Sequence, residues 1–370
     1  LVNAAYGDKQ AFIEYAENND TDKFKTTSRM GYSPLHFATS MGHYDLVKFL
    51  LDNGANPRMA TAEGLECPVI AVEKGYKDIF KLFMEYGLDI NARDTTFYGN
   101  TPLIHATRFG NLDMINFLLD LGAYIGGPSA TGDTPLHNAV DANQIESARL
   151  LLDRGAVVGL KNHDAITPLQ VAVQKNLIDM AKLLLSYGAD VNNKDKRLWT
   201  ALHFAVDAGH IPMVRMLIEN HADVSPQDKQ GNTPLHLAAE KSNFRIGTIL
   251  IDAGADTNIQ NNESAVPLHI VTKKALENFV QYLTDAGADP NIPNAQGQTS
   301  LFIALDNNQY SIARHLAEKG AKLDAIDITG QTLLFPATKS ESADAVTWLV
   351  ESGLDINTKD AEQLTPLHIA

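Results

Sequence analysis

The sequence predicts an all-α fold, an α-solenoid of tandem helix-turn-helix repeats. Two periodic markers carry that expectation, and a third observation supports it. The first marker is a tetrapeptide, Thr-Pro-Leu-His or a near variant, that returns about every 33 residues. It stands as Ser33-Pro34-Leu35-His36, Thr134-Pro135-Leu136-His137, Thr233-Pro234-Leu235-His236 and Thr365-Pro366-Leu367-His368. Worn copies begin at Thr101, Thr167, Thr200, Val266, Thr299 and Thr332. The second marker is a glycine that closes an apolar helical run, at Gly54, Gly87, Gly122, Gly155, Gly188, Gly254, Gly287, Gly320 and Gly353. The third is the lack of any Pro/Gly/Ser linker, low-complexity tract or charge block across 370 residues. A chain of that length would ordinarily split into domains, whereas stacked repeats stay one unit because each touches only its neighbours.

Within one period the local chemistry sets a helix pair. Ser or Thr caps the first helix, helix A, and Pro takes its first position, where no hydrogen bond is lost. In the first full repeat helix A is predicted over 34–41, and Gly42 breaks it. Gly75, Gly110 and Gly209 stand in the same place later. Helix B is predicted over 45–53, with Leu46, Val47, Leu50 and Leu51 on one apolar face. Residues 54–64 then turn into the next repeat. The register slips once, where Gly87 to Gly122 spans 35 residues, and the insertion lies near Asp94 to Tyr98. His221 takes the closing-glycine place in one repeat and reads as a poorer left-handed cap, not as a ligand.

These markers, in phase over ten turns, resemble the ankyrin-repeat family, and the resemblance covers nearly the whole chain. It implies that the turn between repeats is a β-hairpin finger. It divides the chain into a degenerate capping repeat at 1–30, ten tandem repeats at 31–360 and the start of a further repeat at 361–370. The sequence stops two or three residues into a new helix A, so the chain is expected to be a segment of a longer protein. The resemblance also assigns the tetrapeptide histidines a structural role, bonding backbone between adjacent repeats.

Composition narrows the function. The net charge of −15 disfavours nucleic acid, whose phosphates need clustered Lys and Arg. A protein partner with a basic or amphipathic surface suits the chain better. The spots Lys194/Lys196/Arg197 and Lys273/Lys274 read as solvated surface charge. No apolar run reaches the ~20 residues that span a bilayer. One cysteine, Cys67, excludes an internal disulfide and favours a reducing, cytoplasmic setting. No phosphate loop, dinucleotide fingerprint, zinc-binding His-Glu-x-x-His or nucleophile elbow is present. Of twelve histidines, six fill the tetrapeptide, and His43 and His210 fill another family position. His105, His163 and His315 show no partner at ligand spacing. Cys67 sits at a helix start, where a thiol is either activated or a buried filler. The expectation is no enzyme, no cofactor and no metal.

Partner contacts follow from the resemblance. It implies binding through the finger tips and the exposed side of helix A, which line a concave face. The contact positions lie just before each tetrapeptide and in the latter half of helix A. Read there, the chain offers Tyr32 and Met41, then Phe97, Tyr98, Arg108 and Phe109, then Lys196, Arg197, Trp199 and Asp207. Aromatic and Arg side chains dominate interface energetics. Phe97 and Tyr98 on the lengthened finger therefore mark the sharpest spot, unless they fold back on the neighbouring finger. Trp199 either faces a partner or covers the joint beside Leu198 and Ala201. Repeats seven to nine are polar at these positions and read as spacer or a weak polar surface. A scaffold that presents side chains to a protein partner is thus the expected function. The alternative is the repeat arm of a larger channel, microbial effector or venom toxin. Pro336 and Gly247 are read as weak points in their helices, at a cost of about 1 kcal/mol for a helical Gly.

Overall fold

The computed structural model describes residue 28 and residues 30–370. The expected capping repeat at 1–30 lies outside the described residues apart from its last part. The chain forms two compact units, Leu1–Asp190 and Val191–Ala370.

The described part of the first unit is five helix pairs. They are α1 (Pro34–Ser40) with α2 (Tyr44–Asp52), α3 (Cys67–Lys74) with α4 (Lys77–Glu85), α5 (Pro102–Arg108) with α6 (Leu112–Asp120), α7 (Pro135–Asp141) with α8 (Ile145–Asp153), and α9 (Pro168–Gln174) with α10 (Ile178–Ser186). The second unit repeats the scheme. It pairs α11 (Ala201–Asp207) with α12 (Ile211–Glu219), α13 (Pro234–Glu240) with α14 (Phe244–Asp252), α15 (Pro267–Lys273) with α16 (Glu277–Asp285), α17 (Ser300–Asp306) with α18 (Tyr310–Glu318), and α19 (Leu334–Lys339) with α20 (Ala343–Glu351). A four-residue helix, α21 (Pro366–Ile369), follows.

Each odd-numbered helix is too short to be stable alone, so packing must hold it. Within each unit it stacks on the next helix A, as α5 does on α7 and α13 on α15. In the first unit one alanine per helix A makes the close approach possible. Ala38, Ala71, Ala106, Ala139 and Ala172 are all fully buried in the first unit. The longer helices B supply the apolar face. Leu46, Val47, Leu50 and Leu51 of α2 are all buried, as the pattern predicts. The closing glycines take φ from +81° to +96°, which is costly for any residue with a Cβ. His221 adopts the same left-handed conformation with φ 64°.

The fingers differ in detail from paired strands. Among the described residues the one β-bridge joins Ile326 and Thr332. The fingers are tight turns instead. Asp195 N–H donates to the Trp199 carbonyl at 3.0 Å, and the Asp195 carboxylate accepts from the N–H groups of Arg197 and Trp199 at 2.8 Å each. Asp228, Asn261, Asn294, Asp327 and Asp360 repeat this bracket. A side chain thus supplies the acceptor that a second strand would otherwise offer. Successive tips touch through one backbone bond, such as Ala130 N–H to the Tyr98 carbonyl at 2.7 Å.

Two expected weak points are not weak. Pro336 falls at the third residue of α19, inside the first turn, where its missing donor is not needed. Gly247 is a packing requirement. A Cβ there would meet the Phe279 ring at 2.1 Å.

Candidate interaction surface

The tetrapeptide accounts for six of the twelve histidines. In α7, the backbone N–H of Thr134 donates to His137 Nδ1 at 3.2 Å. Nδ1 is therefore the acceptor, and Nε2 carries the proton. Nε2 then donates to the Ile166 carbonyl in the next repeat at 3.0 Å. His36 bonds to Leu65, His203 to Asn232 and His236 to Ala265 in the same way. Burial pushes all four imidazoles below their ordinary value, so they are held neutral. His269 departs from the pattern. Its Nε2 is buried without a partner, and burial lowers its pKa to about 4. Its cap residue is Val266, which has no hydroxyl to give. Cys67 is fully buried, and burial pushes its thiol up, away from reactivity.

The lengthened finger spans 94–100, with Asp94 N–H donating to the Asn100 carbonyl at 2.9 Å. It is tied at both sides of its base. On the earlier side, buried Glu66 accepts the Thr95 N–H at 2.9 Å and Arg58 at 3.3 Å, and Arg58 also donates to the Arg93 carbonyl. On the later side, Asp94 meets His105 Nε2 of α5 at 2.6 Å. Burial raises the Asp94 pKa, but hydrogen bonds from His105 and Thr96 outweigh it and hold the carboxyl below its usual value. Nothing in the residue pattern pointed to this pair. The partners are eleven residues apart across a finger of irregular length.

From that base the aromatic residues stand free. Phe97 is 87% exposed and Tyr98 56%, and their rings meet edge-on at 5.5 Å. Their contact is thus with each other, and most of their surface meets solvent. Phe109, 46% exposed, stacks on His105 at 6.2 Å. Arg108 ends α5 beside it and is exposed. Tyr98 and Arg108 line one side of a groove of about 380 Å³, whose other side is Thr131 and Asp133 of the next finger with Asp141, Gln174 and Lys175 at the ends of α7 and α9. Finger tips and helix-A ends therefore share one face in this unit.

The other candidates are placed differently. Tyr32 is half-buried, with its ring 5.7 Å from both His36 and Phe37. Met41, 43% exposed, caps α1. In the second unit Lys196 is exposed. Arg197 lies over the Trp199 ring at 4.2 Å and donates to Asp195 at 3.1 Å. Trp199 is half-buried against Phe204, and its indole N–H donates to Asp228 at 3.2 Å. Asp207 pairs with Lys241 at 2.9 Å. A second groove of about 810 Å³ runs over the polar repeats, lined by Asn262, Glu263, Gln296, Lys273 and Lys274 among others.

Comparison with known proteins agrees with this architecture. A three-copy model of ankyrin repeats matches residues 69–162, 127–195, 169–261, 248–327 and 268–360, and a single ankyrin-repeat model matches 30–62. Among curated relatives, a probable 26S proteasome regulatory subunit p28 of Saccharomyces cerevisiae is 31% identical over 108 residues, 29% of this chain and 46% of the yeast protein. The human transient receptor potential cation channel subfamily A member 1 is 28% identical over 121 residues, 32% of this chain and 11% of the channel. Alpha-latrotoxin-Lg1a of Latrodectus geometricus is 31% identical over 113 residues, 30% of this chain and 8% of the toxin. The chain therefore spans less than half the length of each. Among the described residues, no helix is long and apolar enough to cross a membrane.

Proposed function

This chain belongs to the ankyrin-repeat family, whose repeats generally serve as non-enzymatic protein-interaction modules, and from that premise we propose that it is a scaffold that binds a protein partner through its finger tips and helix-A ends. The carrying observation is the cluster Phe97, Tyr98, Arg108 and Phe109 on the lengthened finger and α5. Three aromatic rings and an arginine stand exposed on a base tied from both sides. Such residues supply most interface energy when buried by a partner, and holding them ready lowers the ordering cost of binding. Met41 and Tyr32 extend the surface on one side. In the second unit Lys196, Arg197, Trp199 and Asp207 form a smaller, self-engaged patch.

The partner has a basic or amphipathic surface, matching the −15 charge and the exposed rings. The proposal includes ten repeats over 31–360, which the ten helix pairs support. It also includes a cytoplasmic site, which suits a single buried thiol. Recovery of the native protein from a secreted fraction would contradict that placement. A second reading, the repeat arm of a larger protein, draws support from the channel and toxin relatives. Sequencing the flanking coding region decides between them.

The direct test compares the chain with its Phe97→Ala, Tyr98→Ala, Arg108→Ala and Phe109→Ala variants against a recovered partner. At least one single variant is expected to lose about 2 kcal/mol, roughly thirtyfold in Kd. A matched substitution on the helix-B side, Lys182→Ala, is expected to lose nothing. Equal affinity for all five proteins would refute the proposed surface.

A further inference from the structure

We propose that Arg108 anchors this surface by selecting a partner segment that bears an Asp or Glu side chain beside apolar residues. The proposal rests on the reading of this face as the interface. It starts from a periodic device within the chain. The acid at the last position of one helix A meets a lysine 34 residues on, in the next repeat. Asp141 meets Lys175 at 2.6 Å, Asp207 meets Lys241 at 2.9 Å, and Glu240 meets Lys274 at 3.5 Å. These pairs zip the outward ends of the helices together.

Arg108 holds the same last position in α5, with the sign reversed. The residue that should answer it, Ala142, carries no charge. The pair is absent at this joint. Among the described residues, the Arg108 guanidinium has neither an ion-pair nor a hydrogen-bond partner, although acids outnumber bases 45 to 30. The other described arginines of this unit are satisfied inside the chain: Arg58 by Glu66, Arg93 by the Pro128 carbonyl, Arg149 by Glu146 and Arg154 by Asp120.

The groove's own carboxylates are already engaged. Lys175 holds Asp141, while Asp133 accepts the Thr131 hydroxyl at 2.7 Å and the Asn162 amide at 2.8 Å. What the surface lacks is one carboxylate. Arg recognises that group through a planar fork of two N–H donors. Phe109 and Tyr98 flank the position, so the residues beside the acid are apolar. The overall charge of −15 sets the remainder of the partner. A uniformly acidic protein would be repelled, so the acidic segment sits on a neutral or basic surface.

Random dodecapeptides displayed on phage and selected on the whole chain test this. The enriched sequences are expected to carry Asp or Glu next to an aromatic or aliphatic residue. As synthetic peptides they should lose about tenfold in affinity when Arg108→Ala is made, and as much when their own Glu becomes Gln. Arg108→Glu should shift selection to peptides with Lys or Arg. Circular dichroism melts of the variants should match the parent, since the Arg108 side chain is exposed and its guanidinium makes no bond within the described residues. Peptides that need Phe97 and Tyr98 but ignore Arg108→Ala would overturn the carboxylate anchor and leave the interface standing. Peptides indifferent to all four alanine substitutions, or a selection that enriches nothing, would overturn both. Binding lost on amidating the peptide's C-terminus would assign the site to a chain end and overturn the choice of Asp or Glu.

Discussion

Gly247 shows how a residue can mislead when read alone. In the sequence it is a glycine inside a helix, which costs about 1 kcal/mol relative to alanine. In the structure it makes room for Phe279, whose ring would lie 2.1 Å from any Cβ at that position. The two effects oppose each other, and overpacking a tight contact costs about 1–3 kcal/mol. Gly247→Ala is therefore expected to lower stability by up to about 2 kcal/mol, despite its better helix propensity. A urea titration in which the variant is more stable would show that Phe279 can yield. Ala275 is the opposite case. It occupies the left-handed turn between α15 and α16 with φ 57°, where four earlier repeats place glycine (Gly42, Gly75, Gly110 and Gly209). Ala275→Gly is expected to stabilise by about 1 kcal/mol, the strain of a left-handed alanine; an unchanged urea midpoint would show that the strain is negligible. Neither sign follows from one repeat's sequence, because each depends on a dihedral or a neighbour outside it.

At the scale of the element, most of what matters was legible. The tetrapeptide encodes a cap, a first-turn proline, a core leucine and a cross-repeat bond, and the structure uses each. The fingers were only half legible. The resemblance implied a hairpin, and the left-handed residue and the acceptor before it are spread over five variable positions, so the turn closed by side chains was not visible. The Asp94–His105 pair was hidden by the two-residue insertion between them. The histidines also yield a pH dependence. His36, His137, His203, His236 and His269 have folded-state values below the ordinary 6.5, with His269 at about 4. Between the folded and unfolded values the unfolded chain binds more protons. The stability these groups contribute is full above pH 6.5 and is lost as pH falls towards 4. The chain also supplies a control. Gln170 fills the same seat in α9, accepting the Thr167 N–H at 2.8 Å without titrating. His137→Gln with His236→Gln is expected to flatten the fall in urea midpoint between pH 6.5 and 4.5. An unchanged slope would assign that fall to carboxylates alone.

At the scale of the whole molecule, stability is close to a sum over neighbouring repeats. Joints can therefore be ranked by the bonds that cross them. In the second unit, the joint from α13 to α15 carries the His236 bond to the Ala265 carbonyl at 3.0 Å. The joint from α15 to α17 lacks its counterpart, since His269 Nε2, Thr272 Oγ1 and Ser300 Oγ are all buried without partners. Amide exchange is expected to be faster across 266–306 than across 233–252, and Val266→Thr, which restores the cap hydroxyl, to slow it by about 1 kcal/mol. Equal protection at both joints would mean that these orphaned groups cost little. The fold was readable from period alone, because a repeat must bury its face against a copy of itself. The proposed interface was readable only as a set of positions. Which side chains stand free there depends on charge pairs between repeats, and those emerge only when the repeats are stacked.

The most direct test of the interaction surface is amide hydrogen exchange across the full chain, with and without a bound partner or selected peptide. New protection is expected over 94–109 and 129–142, the lengthened finger, α5 and the facing wall of the groove. Protection confined to the helices B, at 44–52, 77–85 and 112–120, with the 94–109 segment unchanged, would contradict it.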